Sequence, residues 1–218
     1  MELLIGMSIF LIILLGIYQM YDANRATYVR GSRRVDVQQN ARVAMDEIAR
    51  ELRMTGYFPE NFTTPAAIPL LTNAIQTGTD AAVVIYGDVD ASGTSSIFMY
   101  CLDTSVNPPV ARRGKGAADP LTSKGTAAAA YTCGSGTVLA ENITSLSFKY
   151  YDANNALLST PLDGEIVGSI PNFATPPPPL DRSLVRTVVI TLTGQENVPG
   201  QSAQQFTLTS SLRLRNLN

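Results

Sequence analysis

The groups in this sequence with chemistry to offer are two cysteines, a set of oxygen donors at one tight turn, a basic stretch and an acid at the mouth of a greasy segment. Histidine and tryptophan are absent. Without imidazole a Ser–His–Asp triad is excluded, and the usual general base and most metal sites go with it. Acidic residues are present, but no pair stands at a spacing that singles out an acid and a base partner. The sequence therefore predicts no enzyme.

Asp88, Asp90 and Ser92, followed by Gly93, place oxygen donors at alternate positions with a glycine for the sharp turn. That matches the first half of a calcium loop. The second half is missing, because Met99 stands where the bidentate glutamate belongs. Asp and Gly at a hairpin tip are also what the turn itself demands, so the turn is the main reading and calcium the alternative. No other cofactor is expected. Cys101 and Cys133 flank a stretch rich in Pro, Gly and Ala. A bridge between them would close a loop of about 30 residues and stabilise by about 3 kcal/mol in the chain-entropy model; two unpaired thiols are the alternative. Arg112, Arg113, Lys115 and Lys124 lie between the cysteines. They read first as a solvated loop, and second as a contact for DNA, a lipid headgroup or a surface receptor.

Glu2 opens an apolar run from Leu3 to Met20 that contains no Lys, Arg, Asp, Pro or His. About 20 such residues in a helix cross a hydrocarbon layer of ~30 Å. A carboxylate at the lip of that segment is costly unless a cation meets it. Two readings stay open: a functional group, or an acid resting among lipid headgroups. Arg25, Arg30, Arg33, Arg34 and Arg42 crowd the following stretch, which by the positive-inside rule would be cytoplasmic. The cysteine pair favours an oxidising compartment instead. A signal peptide fits poorly, since the chain starts with an acid and shows no small-residue cleavage site before the pattern continues as helix.

The elements that must position these groups follow from periodicity. Tyr21 to Thr55 lacks Pro, and Val37, Ala41, Ala44 or Met45, Ile48 and Leu52 form an i, i+3, i+4 stripe. Gly56 and Pro59 supply the stop. One continuous helix of about 80 Å results. Beyond it, strands are predicted at 81–86, 96–102, 143–151 and 184–192, and at 205–214, with a short one near Val110 and a returning segment at 156–159. Residues 57–71, 103–132 and 164–180 read as loops, and 194–201 as a turn. At 218 residues and a net charge of −2, the chain holds one membrane-going helix and one ordinary globular domain. The expected class is α+β, with one antiparallel sheet packed on the long helix. Residues 1–22 form its apolar half, 23–56 its amphipathic half, and 57–218 the β-rich head.

Glu2-Leu-Leu-Ile-Gly-Met-Ser-Ile-Phe-Leu-Ile-Ile-Leu-Leu-Gly16 resembles the N-terminal helix of mature type IV pilins and type II secretion pseudopilins, with Glu2 at the position of the family's glutamate. Arg42-Val-Ala-Met-Asp-Glu-Ile-Ala-Arg-Glu-Leu-Arg-Met-Thr-Gly-Tyr57 resembles the PilW class of minor pilins, related to the J-type minor pseudopilins. Asn142 to Asp152 and the Val185-Arg-Thr-Val-Val-Ile-Thr-Leu strand fit the same class. The resemblance implies a pilin-like fold and a basic leader preceding the residues seen here. It also implies a single-pass inner-membrane subunit whose periplasmic head later stands on an extracellular filament.

It further implies a role for Glu2: in the filament it meets the free N-terminal amine of a neighbouring subunit. Leu3, Leu4, Ile5, Ile9, Phe10, Ile12 and Ile13 then pack the filament core. The implied partners are other pilins or pseudopilins, the inner membrane before assembly, and the assembly platform. A minor pilin that primes, caps or modulates a type IV pilus is the leading expectation. A minor pseudopilin of type II secretion is the alternative, as is an adhesin or DNA-binding tip module acting through the loop between the cysteines.

Overall fold

The computed structural model describes residues 2–57, 75–89, 91–93, 96–115, 133–160, 162, 184–196 and 203–215. Helix α1 runs unbroken over Glu2–Met54, 53 residues and so roughly 80 Å long. Gly56 ends it with a φ of 79°, a left-handed conformation that costs glycine little. Tyr57 N then donates back to the Met54 carbonyl at 3.1 Å. The exit is also tied sideways, because Gly56 N donates to Tyr86 O at 3.0 Å and Asp88 N to Tyr57 O at 2.9 Å.

Among the described residues, eight strands follow. β1 (Ile75–Gly78), β2 (Ala82–Gly87), β3 (Ser96–Asp103), β4 (Val110–Lys115) and β5 (Thr137–Glu141) form an antiparallel meander in chain order. β6 (Ile143–Tyr151), β7 (Thr187–Glu196) and β8 (Gln204–Arg213) form a second antiparallel sheet. The single sheet expected from the sequence is thus corrected to two. The break falls at Asn142, whose φ of 60° turns the chain between β5 and β6, and no change in hydrophobic pattern marks it. Ile143 N donates to Pro109 O at 3.1 Å and Gln195 N to Asn142 O at 2.9 Å, pinning that corner to both sheets. Phe148 N donates to Asp80 O at 2.9 Å, and the Tyr150 hydroxyl donates to the carbonyls of Thr79 (3.1 Å) and Ala82 (3.3 Å). A Cβ at Gly78 would fall on the Tyr150 ring, so glycine is required where β1 passes beneath it.

The predicted stripe is the buried one. Ala41, Ala44, Met45, Ile48 and Leu52 join Val83, Ile85, Phe98 and Tyr100 from the first sheet and Phe148, Val188, Ile190 and Leu192 from the second in one core. α1 lies against β5, β7 and β8. Along the helix, full burial begins at Ala41, so the core of the head holds the far end of the rod. A second cluster, Ala82, Val84, Tyr86, Ile97, Met99 and Cys101, occupies the other face of β2 and β3. Those two strands are therefore buried on both faces and read as continuous apolar runs.

One further expectation is corrected. The strand predicted at 184–192 starts at Thr187 and continues through Gly194 to Glu196, where a turn was expected. A Cβ at Gly194 would collide with the Phe206 ring of β8, so this glycine marks a close approach within a sheet. The segment 156–159 does pair back: Leu157 bridges to Tyr151, Leu158 N donates to Tyr150 O at 2.8 Å and Asp152 N donates to Ala156 O at 3.0 Å. Of the predicted loops, 58–71, 116–132 and 164–180 lie outside the described residues, as does Lys124.

Candidate functional site

The near half of α1 is an apolar surface that none of the described residues covers. Leu3, Leu4, Ile5, Ile9, Phe10, Ile12 and Ile13 are each more than half exposed, and Ile17, Tyr18, Met20 and Tyr21 continue the surface. Fully burying one such side chain is worth roughly 1.5–3 kcal/mol, so a bare rod of them is unstable in water. This helix is long and apolar enough to span a membrane, which fits a single-pass anchor. Glu2 is its first residue; the Glu2 side chain lies outside the described residues.

At the other end a polar lock holds rod and head together. Glu51 sits on the buried stripe, where the apolar period predicts another Leu or Ala, and is only 3% exposed. Its Oε2 accepts Arg113 Nε of β4 at 2.8 Å and the hydroxyl of Tyr100 from β3. The Arg113 guanidinium also lies 4.0 Å over the Phe98 ring. Burial pushes the Glu51 carboxyl above the ordinary carboxylate range, and the Arg113 hydrogen bond and charge pull it partly back. The lock was missed in the sequence, although an acid on an apolar stripe was its signal.

Arg112, the neighbour on the opposite face of β4, makes a second ion pair. Its Nε donates to Asp103 Oδ2 at 2.7 Å and its Nη1 to Gly136 O at 2.8 Å. Asp103 Oδ1 accepts the Ser105 amide at 2.9 Å and the Ser105 hydroxyl at 2.5 Å. These Ser105 bonds, with Arg112 adding to them, hold the Asp103 carboxyl below its usual range. Gly136 closes a short 3-10 turn at Cys133–Ser135, and Cys133 is disulfide-bonded to Cys101 of β3 with the Cα atoms 5.8 Å apart. The basic pair Arg112 and Arg113 thus stands on a strand and is used internally. Lys115 ends that strand.

The turn between β2 and β3 explains Asp88. Its Oδ1 accepts Ser92 N at 2.9 Å and its Oδ2 accepts Gly93 N at 3.0 Å, while its own backbone holds the helix exit. Both oxygens thus close the turn. Among the described residues no cluster of three acids or thiols could hold a metal; Asp90, named with Asp88 and Ser92 for calcium, lies outside them. At the edge of the head nearest the rod, Arg34 Nη1 donates to Gln204 Oε1 at 3.2 Å.

The fold and sites define an α+β protein with one long N-terminal apolar helix, two antiparallel sheets and an internal disulfide. Compared with known proteins, the chain matches no family model, no curated protein and no solved structure.

Proposed function

We propose that this chain is a structural subunit of a pilus-like filament, a minor pilin of the PilW class, whose apolar rod moves from the inner membrane into the filament core. The observation that carries the reading is the division of α1. Its first half is bare and apolar, while its far end is locked into the head through core packing and the Glu51–Arg113 pair. A rod built this way can exchange lipid for neighbouring rods while the head stays folded. The disulfide favours a head outside the cytoplasm. Glu2, at the rod's tip, sets register by meeting a cation of the next subunit, since a desolvated carboxylate needs a partner.

Replacing Glu2 by Ala in cells tests this directly. The expected result is a membrane-resident subunit with an oxidised, folded head that no longer enters sheared filaments. Normal incorporation of the Glu2→Ala chain overturns the reading.

A further inference from the structure

Between the apolar run and the head, α1 carries a collar of arginines. Arg25, Arg30, Arg33 and Arg34 fall between Tyr21 and Asn40, where the only acids are Asp22 and Asp36. The chain as a whole has a net charge of −2, so this basic excess is local. The helix holds no lysine. Arg25 and Arg33 are exposed, Arg34 is exposed while reaching Gln204, and Arg30 is half-buried. Among the described residues none of the four forms an ion pair; the ion pairs of the fold use Arg112 and Arg113.

Position names the ligand. Tyr18 and Tyr21, 68% and 64% exposed, bracket the end of the apolar run. Such amphipathic rings mark the boundary between hydrocarbon and headgroups. Arg25 lies about one turn beyond Tyr21, and Arg30, Arg33 and Arg34 lie roughly 15–21 Å beyond Met20 along the axis. Side chains on a helix lean toward its N-terminus, which here means back toward the bilayer. The guanidiniums thus come within one or two screening lengths of the headgroups, at ~8–10 Å each.

Shape and chemistry agree. At 3.6 residues per turn the four arginines spread over about half the circumference, so no single face holds them. A partner helix engages one face of a rod, whereas a lipid surface meets it from several sides. Topology does not account for the collar. The positive-inside rule would keep it cytoplasmic, yet it continues directly into the disulfide-bonded head, which favours the opposite compartment. The guanidinium fork suits phosphate oxygens. We propose that the arginine collar binds the headgroups of anionic phospholipids around the rod. The proposal rests on the apolar half spanning a bilayer and not on filament assembly.

The test reconstitutes the full chain in phosphatidylcholine vesicles carrying trace spin-labelled phosphatidylglycerol or spin-labelled phosphatidylcholine. The fraction of label immobilised by the protein gives the relative association of the two headgroups. Phosphatidylglycerol should be preferred at least about threefold at low salt. The preference should fall toward parity at about 1 M salt, where the screening length is ~3 Å. Arg25→Gln/Arg33→Gln, at two exposed positions, should lose most of the preference, and Arg25→Lys/Arg33→Lys should keep most of it. Arg42→Gln, also exposed but roughly 33 Å beyond Met20, should behave as the parent does. An unchanged preference in the glutamine variant overturns the proposal. So does loss of immobilised label for both headgroups alike as the protein-to-lipid ratio rises, which would give the collar to a second rod. Equal association of both labels with a carbonate-resistant chain overturns the collar alone. If neither label is immobilised and carbonate extracts the chain, the membrane-spanning reading fails with it.

Discussion

Glu51 and Arg113 lie 62 positions apart in the chain and 2.8 Å apart in the fold, and their bond joins the helix to the first sheet. Both groups are largely withdrawn from water: the side chains are 3% and 20% exposed. Breaking such a pair from one side leaves the other charge without compensation, at a cost of about 3–5 kcal/mol. Glu51→Ala should therefore destabilise the head by about 3 kcal/mol or more in denaturant unfolding. Glu51→Gln, which keeps an acceptor for Arg113 and Tyr100, should cost clearly less. Equal losses in the two variants would mean that the charge, which both remove, makes the fastening, and not the packing and acceptor that glutamine keeps.

The two buried acids should respond to pH with opposite signs. Glu51 has a raised carboxyl pKa in the fold, so the folded state holds that proton more tightly than the unfolded chain does. Its contribution is most favourable below the ordinary value of 4.5 and declines as pH rises from there through the folded value. Asp103 has a lowered pKa; its contribution is present above 3.8 and is lost as pH falls through the folded value. Melting curves from roughly pH 3 to 8 on the parent, Glu51→Gln and Asp103→Asn chains check both. The advantage of the parent over Glu51→Gln should shrink with rising pH, and its advantage over Asp103→Asn should shrink with falling pH.

The bridge between Cys101 and Cys133 spans a separation of 32 residues. Closing a loop of that size removes unfolded-state entropy worth about 3 kcal/mol. The double variant Cys101→Ser/Cys133→Ser should lower stability by about that amount while the Asp103–Arg112 pair continues to hold β3 to β4. Unfolding of the parent with and without reductant should show the same difference. A loss below about 1 kcal/mol would show that the intervening segment is already constrained in the unfolded chain.

The long helix and its stop were legible because Leu3 to Met20 and the Ala41–Leu52 stripe repeat a simple period, and Gly56 follows at once. β2, β3, β6 and β8 were legible for the same reason, at period two or as solid apolar runs. β1, Ile-Gln-Thr-Gly, carries no strand signal, and only pairing with β2 and the fit of Gly78 under Tyr150 make it a strand. The two-sheet division depends on Asn142 and on bonds to Pro109 and Gln195, none of which leaves a local pattern. Neither member of the Glu51 lock was assigned its partner, because contact across 62 positions has no periodicity.

The rod makes the sharpest demand on membrane behaviour. Ile12 lies in the middle of the apolar run and is 69% exposed on the isolated chain, so lipid or another rod must face it. A charged residue at the centre of a spanning helix costs about 2.5–3.5 kcal/mol. Ile12→Asp should therefore shift much of the protein from carbonate-resistant membrane to the soluble or aggregated fraction, without loosening a head whose core begins near Ala41. Tyr28→Asp, equally open to solvent at 79% exposure but beyond the apolar run, should stay in the membrane as the parent does. If Ile12→Asp is retained as well as Tyr28→Asp, this segment is not lipid-embedded, and its exposed face must be covered by protein from the start.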